Sequence, residues 1–375
     1  MGLTLGVLKE TFSGECRVAI APATVKKIIK HNIGVLVESG AGVAAGFRDQ
    51  LYITAGAAIA KFPKDVCQCD IVFGILCPEV ETIKLFKKGS FFISLMNPFN
   101  CATLLKAFAG QGVNVLGVEL IPRTSRAQSM DVLSSQANIG GYKSVLDAVA
   151  HYGRFVPMMM TSAGMAKPAR LCVLGVGVAG LQAIATGRRL GAIVEAFDVR
   201  SEVKEQIESL GAKAIELDLG EDGAGACGYA KALSEEAQKK QQHLLADRLK
   251  DFDIIISTAN IPGRKAPVLI LEEAVKQMNS GSVIVDMAAA NGGNCPLSKA
   301  GEVIVAHDVT IIGETNYPSR MPGDASFFFG NNLVNVLALF LQKVNGDTVV
   351  QYDFEDDIID AAVMVHDGKV RFESK

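Results

Sequence analysis

The clearest chemistry in this chain lies in six residues, Gly175-Val176-Gly177-Val178-Ala179-Gly180. They follow an apolar run, Leu171-Cys172-Val173-Leu174, and lead into a helical stretch at 181–190. A GxGxxG spacing between strand and helix is the setting in which three glycines hold a dinucleotide. Gly175 permits the tight turn, Gly177 leaves bare backbone for a pyrophosphate, and Gly180 lets the helix pack close to the strand. The helix N-terminus, opening at Val178, offers unpaired N–H groups and the positive end of a dipole. The next strand ends in Asp198, about 20 residues beyond Gly180, where an acid bonds the ribose hydroxyls. A carboxylate there repels a 2′-phosphate and favours NAD(H). Val199 and Arg200 follow it, and an arginine nearby is the group that accepts such a phosphate.

Three further segments carry candidate groups. Residues 220–229 hold four glycines and end in Gly228-Tyr229, which reads as a mobile loop with Tyr229 as its latch. The run at 254–257 leads into Thr258-Ala259-Asn260-Ile261-Pro262-Gly263, and the run at 282–285 leads toward Asn291-Gly292-Gly293-Asn294. Small residues there either let a nicotinamide ribose approach the backbone or simply make turns. The third is a polar cluster containing Arg123, Gln128, Asp131 and Ser134. It offers guanidinium, amide, carboxylate and hydroxyl groups that suit a carboxamide, or else it is a helix start with solvated charges.

Other chemistries are missing from the sequence. It shows no GxSxG elbow, HExxH pair or Walker lysine, and no histidine stands where an acid/base for alcohol or amine oxidation is expected. Eight cysteines without a CxxC pair and five scattered histidines fit neither a zinc site nor a disulfide framework. They read as free thiols in a reducing compartment. A net charge of −3 and no basic stripe argue against a nucleic-acid partner. Mean hydropathy is positive, yet the most apolar late stretch, 333–341, is broken by Asn335 and falls short of the ~20 residues needed to span a bilayer. With no basic-then-apolar leader, the expectation is a cytosol-facing chain without membrane insertion.

The elements that must position these groups alternate. Strand-like runs at 3–8, 34–38, 71–74, 90–95 and 114–118 are separated by helical stretches near 22–31, 80–87 and 102–111. A long helix is predicted at 133–152, then an irregular or hairpin-like segment at 155–164 with Met158, Met159 and Met160. A second series follows, with strands at 171–174, 193–197, 214–217, 254–257, 282–285, 303–306 and 309–312. A helix at 326–343 and a β-like, turn-rich tail at 348–372 close the chain. Alternation predicts parallel sheets covered on both faces. The fold class is therefore α/β, with two Rossmann-like domains, the second inserted into the first and a cleft between them. The boundaries predicted are 1–136 with 326–375 for the first domain and 137–325 for the nucleotide-binding one.

The run Arg123-Thr-Ser-Arg-Ala-Gln128-Ser-Met-Asp131-Val-Leu-Ser134-Ser resembles the signature loop of the NAD(H)-binding component, domain I, of proton-translocating NAD(P) transhydrogenase. The resemblance covers nearly the whole chain. It includes Lys9-Glu10 with Arg17-Val18-Ala19, Glu38-Ser39-Gly40-Ala41-Gly42, Asn138-Ile139-Gly140-Gly141-Tyr142, the glycine turn, Gly228-Tyr229-Ala230-Lys231 and Gly292-Gly293-Asn294. It implies that Arg123, Gln128, Asp131 and Ser134 line the nicotinamide end, with Gln128 on the ribose, and that Tyr229 closes a loop over the nucleotide. It implies a homodimer with the segment at 158–160 exchanged between subunits. It also implies hydride transfer from NADH directly to NADP+ on a separate domain III, coupled to proton movement by a membrane domain II. The chain would then sit peripherally at the inner face of the cell membrane, or on the matrix side in a mitochondrion.

Alanine dehydrogenase, of the same superfamily, is the rival reading, and a catalytically silent NAD-binding regulator is a third. Alanine dehydrogenase needs a substrate-binding lysine where this chain has the segment around Gly74, and a histidine where Ser94 stands. Gly74 also departs from many transhydrogenases, and Asn260-Ile261 departs from the Leu-Ile the resemblance leads one to expect.

Overall fold

The computed structural model describes residues 2–218, 220, 234–261 and 263–372. The chain divides into two units, Met1–Gln136 with Pro318–Lys375, and Ala137–Tyr317. The return to the first unit falls at Pro318 rather than 326. Long-range bonds set this return: Ser319 and Ser326 both bond within the first unit, to Glu15 and to the Val18 N–H.

In chain order the first unit opens with β1 (Thr4–Val7), α1 (Pro22–Ile29), β2 (Gly34–Glu38), α2 (Asp49–Ala55), β3 (Ala58–Ala60), α3 (Pro63–Cys67), β4 (Ile71–Leu76), α4 (Val80–Ile83), β5 (Phe91–Leu95), α5 (Ala102–Gln111) and β6 (Asn114–Gly117). The helix α6 (Val132–His151) runs across the unit boundary. The second unit adds β7 (Met159–Thr161), β8 (Gly164–Ala166), β9 (Arg170–Leu174), α7 (Val178–Arg189), β10 (Ile193–Phe197), α8 (Lys204–Ser209), β11 (Lys213–Ala214), α9 (Glu235–Leu249), β12 (Ile254–Ser257), α10 (Glu272–Gln277), β13 (Val283–Asp286), β14 (Val303–Ala306) and β15 (Val309–Ile312). The first unit closes with α11 (Pro322–Ala338), β16 (Leu341–Val344), β17 (Asp347–Val350), α12 (Asp357–Ala362), β18 (Val363–His366) and β19 (Lys369–Val370).

The sheet of the first unit has the order β19-β18-β6-β5-β4-β1-β2-β3. Strands β1 to β6 pair in parallel, and β18 joins β6 antiparallel. Parallel strands are covered on both faces, so they read as unbroken apolar runs. In β4 Ile71, Val72 and Phe73 are all fully buried. Val25, Ile28, Phe329 and Leu333 pack on one face, and Val66, Leu105 and Phe108 on the other. Each such side chain contributes about 1.5–3 kcal/mol by leaving water.

The sheet of the second unit has the order β11-β10-β9-β12-β13-β15-β14, parallel except for β14. From its first strand, β9, the chain winds outward to β10 and β11, then returns to β12 on the other side. This reversal beside β9 is where doubly wound sheets bind dinucleotides. Helices α6 and α7 cover one face, through Val145, Ala148, Ala183 and Ile184. Helices α9 and α10 cover the other, through Leu245, Leu249 and Val275.

Several elements differ from the sequence reading; the tail expected to be β-like, for one, contains the helix α12. The last long helix stops at Ala338, and Leu341–Val344 pairs antiparallel with Asp347–Val350. Asn345 and Gly346 between them have φ of 52° and 90°, the positive pair a two-residue hairpin demands, so this turn chemistry overrides the helical period. The expected strand at 214–217 is reduced to Lys213–Ala214, with Ile215 adding one bond to the Ala196 carbonyl. The helix expected at 80–87 ends at Ile83. Among the described residues no helix is long and apolar enough to cross a membrane.

Candidate functional site

In the second unit, β9 is fully buried from Leu171 to Leu174 and ends at Gly175, whose φ is 87°. A Cβ there would stand 2.9 Å from the Ala259 amide nitrogen. A Cβ on Gly180 would lie 2.1 Å from the Gly175 carbonyl oxygen, whereas one on Gly177 would meet nothing within 4 Å. The first and third glycines are thus required by packing, and the second borders space open among the described residues. No side chain caps α7 at Gly177, so the N–H groups of its first turn are not taken by a cap. Free N–H groups at such a helix start are the kind of donors that bind a phosphate.

Asp198, at the exit of β10, is tied into the protein on both carboxylate oxygens. Oδ2 accepts the Val176 N–H at 2.7 Å and Arg200 Nη2 at 2.9 Å. Oδ1 accepts the Arg200 N–H and Nε, each at 2.9 Å. An ionised carboxylate has about four acceptor positions, and all are used. Only 6% of its side chain and 9% of that of Arg200 are exposed. Arg200 also donates to the Val176 carbonyl at 3.1 Å, and pairing with Asp198 raises its pKa. A ribose hydroxyl must therefore trade with an Arg200 N–H. Val199, Arg200, Lys204 and Leu217 line a cavity of about 500 Å³ beside this pair.

The loops beyond β12 and β13 meet the turn from the other side. Thr258 Oγ1 donates to the Gly175 carbonyl at 2.8 Å. Asn260 Oδ1 accepts from Asn291 Nδ2 at 3.2 Å, a bridge between the two loops that leucine at 260 would not make. Gly228 and Tyr229 lie outside the described residues.

Arg123, Gln128, Asp131 and Ser134 belong to the first unit. Arg123 and Gln128 are exposed. Asp131 accepts the Ser134 N–H at 2.8 Å and its hydroxyl at 2.6 Å, so this carboxylate caps the start of α6. Arg126 pairs with Asp356 at 2.6 Å and with Asp357. Asn332 and Asn335 of α11 both donate to the Ser129 carbonyl, at 2.8 and 2.9 Å. In the sequence Asn335 stands out only as an interruption of an apolar stretch. Its spacing from Asn332, one helical turn, is the signal for a shared partner.

A second buried cluster surrounds Arg17. Its Nε and Nη2 fork onto Glu15 at 2.8 and 2.6 Å, and Nη1 donates to Gln136 at 3.0 Å. The Ser319 hydroxyl donates to Glu15 at 2.5 Å. Burial alone would raise the Glu15 carboxyl; the Arg17 fork outweighs it and holds the group at about 2. Glu10 is the opposite case. It accepts the Ile75 N–H at 2.6 Å, but burial pushes it up to about 7, helped by repulsion from Glu15. Gly74 lies in the irregular part of β4, where a Cβ would stand 3.1 Å from the Leu76 carbonyl. Ser94 bonds to the Leu95 carbonyl and the Met96 sulfur.

These two carboxylates set opposite pH slopes. Glu15, depressed in the folded state, stabilises above about pH 4.5 and loses that contribution as pH falls toward 2. Glu10, raised, stabilises at low pH and loses its contribution as pH rises from about 4.5 to 7. Glu10→Gln should therefore flatten the stability profile between about pH 5 and 7, measured as urea midpoints across that range. An unchanged slope would remove Glu10 as its source.

Residues 6–140 match the family model described as alanine dehydrogenase/PNT, N-terminal domain, and residues 144–373 match the corresponding C-terminal domain. The chain is 44% identical over 368 residues to NAD(P) transhydrogenase subunit alpha of Haemophilus influenzae, covering 98% of this chain and 71% of that protein. It is 43% identical over 376 residues to the first part of NAD(P) transhydrogenase subunit alpha of Rhodospirillum rubrum, covering 98% and 97%. Alanine dehydrogenase of Bacillus subtilis is 26% identical over 379 residues, covering 99% of this chain and 93% of that one. The solved transhydrogenase of Sinorhizobium meliloti superposes with a TM-score of 0.85 at 38% identity, covering 98% of both chains. The chain belongs to the alanine dehydrogenase/PNT family, within its NAD(P) transhydrogenase alpha-subunit branch.

Proposed function

We propose that this chain is the NAD(H)-binding component of a proton-translocating transhydrogenase. The observation that carries the choice over amino-acid oxidation is the state of Arg17. Its guanidinium is forked onto Glu15 and bonded to Gln136, so a substrate carboxylate would have to displace a buried carboxylate held by the same fork. The neighbouring positions supply no substitute, since Gly74 carries no cation and the Ser94 hydroxyl is bonded within its own strand end. Sustained NADH production from NAD+ and L-alanine would defeat this reading.

In this role the first turn of α7 holds the pyrophosphate, and the cavity beside Asp198 takes the adenosine half. Asp198 and Arg200 form a neutral pair whose guanidinium is already held, which favours NAD(H) over a nucleotide with a 2′-phosphate. Bound NADH supplies the hydride, which passes to NADP+ carried by a separate domain III. That exchange leaves no proton to place, so the chain needs no acid/base histidine. The tasks left to its residues are binding, orientation and exclusion of water. Coupling to proton movement belongs to a membrane domain II, through which this chain would be held at the inner membrane face.

The family resemblance assigns Arg123, Gln128, Asp131 and Ser134 to the nicotinamide end and Tyr229 to a closing loop. Exposed Gln128, in a segment held by Asn332 and Asn335, suits contact with a partner-borne nucleotide. Gln128→Asn should slow NADH-to-NADP+ exchange by about tenfold or more while NADH affinity changes little. Equal loss of both would refute this role.

A homodimer completes the proposal. The hairpin β7–β8 is a lone two-stranded ribbon that exposes Met158, Met160 and Met165 by 58, 72 and 56%. Such ribbons are marginal alone, and exposed apolar patches mark contacts, consistent with exchange between subunits.

A further inference from the structure

We propose that Asn294 is a positioning residue for the nicotinamide half of the nucleotide, because its buried side-chain amide holds the loop beyond β12 against the glycine turn. The inference rests on the nucleotide reading above and adds a residue to it. Asn294 is fully buried, and its hydrogen bonds engage both the main chain and the side chain. Its N–H donates to Asp286 Oδ2 at 2.8 Å, and its carbonyl accepts from the Leu269 and Ile270 N–H groups at 2.9 and 3.0 Å. Its Oδ1 accepts the Ser257 hydroxyl at 2.7 Å. Its Nδ2 donates to the carbonyls of Ala259 and Pro267, each at 2.8 Å. One planar amide thus joins the exits of β12 and β13 to the segment that leads into α10.

Only an amide meets this demand. Two carbonyls need donors and one hydroxyl needs an acceptor, all from a single side chain. Aspartate would set an oxygen against two carbonyl oxygens, and leucine would leave the buried Ser257 hydroxyl and two part-buried carbonyls without these bonds. Gly293, with φ of 73°, brings the backbone close enough: a Cβ there would stand 2.9 Å from Asp286 Oδ2.

The consequence follows from the sheet order. At the reversal beside β9, the adenosine half falls on the β10 side and the nicotinamide half on the β12 side. Thr258 fastens the β12 loop to the Gly175 carbonyl, and Asn294 fastens the same loop from below through Ser257 and Ala259. Loosening Asn294 therefore moves the nicotinamide platform and leaves the Asp198 side in place.

The test compares NADH with 5′-AMP, titrated into the full chain. Asn294→Asp should weaken NADH about tenfold and 5′-AMP by less than about twofold. The milder Ser257→Ala, which removes one bond to the amide, should weaken NADH by about threefold with 5′-AMP unchanged. Parallel weakening of both ligands, or no change in either, would overturn the proposal. Should Asn294→Asp fail to fold by circular dichroism, Ser257→Ala decides by the same comparison. A parent chain that binds neither ligand would instead defeat the nucleotide reading, and this inference with it.

Discussion

Asp198→Ala should weaken NADH binding by roughly 100-fold, the largest loss expected from a single side chain in the second unit. Two effects combine. The acceptor proposed for the ribose is lost, and the glycine turn loses the carboxylate that holds the Val176 N–H at 2.7 Å. The substitution also removes the carboxylate from the Arg200 guanidinium, of which only 9% is exposed. Removing one partner of such a buried pair costs about 3–5 kcal/mol. The guanidinium charge is then no longer neutralised by Asp198, so preference for NADH over NADPH should shrink together with NADH affinity. Isothermal titration with both nucleotides reads the two effects. Parent-like NADH affinity in the variant would remove Asp198 from the ribose and from the turn.

Gly141→Ala should destabilise the second unit by about 3 kcal/mol or more, the upper range for overpacking. An alanine Cβ at 141 would lie 2.0 Å from the Ala179 carbonyl oxygen and 2.8 Å from its carbon. The obstacle is backbone, in the first turn of α7, so no rotamer change relieves it. The helix α6 must move off α7, and the N–H groups that await the pyrophosphate move with it. In a unit of this size the midpoint of thermal unfolding should fall by roughly 6–12 °C, and NADH affinity should fall as well. Gly110→Ala in α5 is the control, because a Cβ there meets nothing within 4 Å; it should stabilise by about 0.5–1 kcal/mol. Equal behaviour of the two variants would contradict the close approach of α6 to α7.

How much of this is legible in the sequence depends on whether the cause is local. The glycine turn is legible because one strand, one turn and one helix carry all of its constraints within about 20 residues. The alternation that predicts two covered parallel sheets is legible for the same reason. The end of α11 misleads because apolar spacing at 339–343 suits helix and strand alike, and the decisive Asn345-Gly346 pair lies beyond it. Glu15 gives no local signal because its meaning comes from Arg17, Gln136 and Ser319, and the last of these is 304 residues away. Asn294 reads only as a loop residue, since nothing local reveals a burial set by Ser257, Ala259 and Pro267. Asp198 is singled out in the sequence by its distance from Gly180, but its full engagement with Arg200 and Val176 appears only in three dimensions.

Direct exchange between nucleotides is the property to measure. The chain, charged with NADH, is mixed with the NADP(H)-binding domain of a family member carrying an NADP+ analogue whose reduced form absorbs at its own wavelength. The analogue should be reduced at the expense of NADH, with no small substrate present, and more slowly in Gln128→Asn. Tight NADH binding with no reduction of the analogue would contradict it and leave a nucleotide-binding regulator in its place.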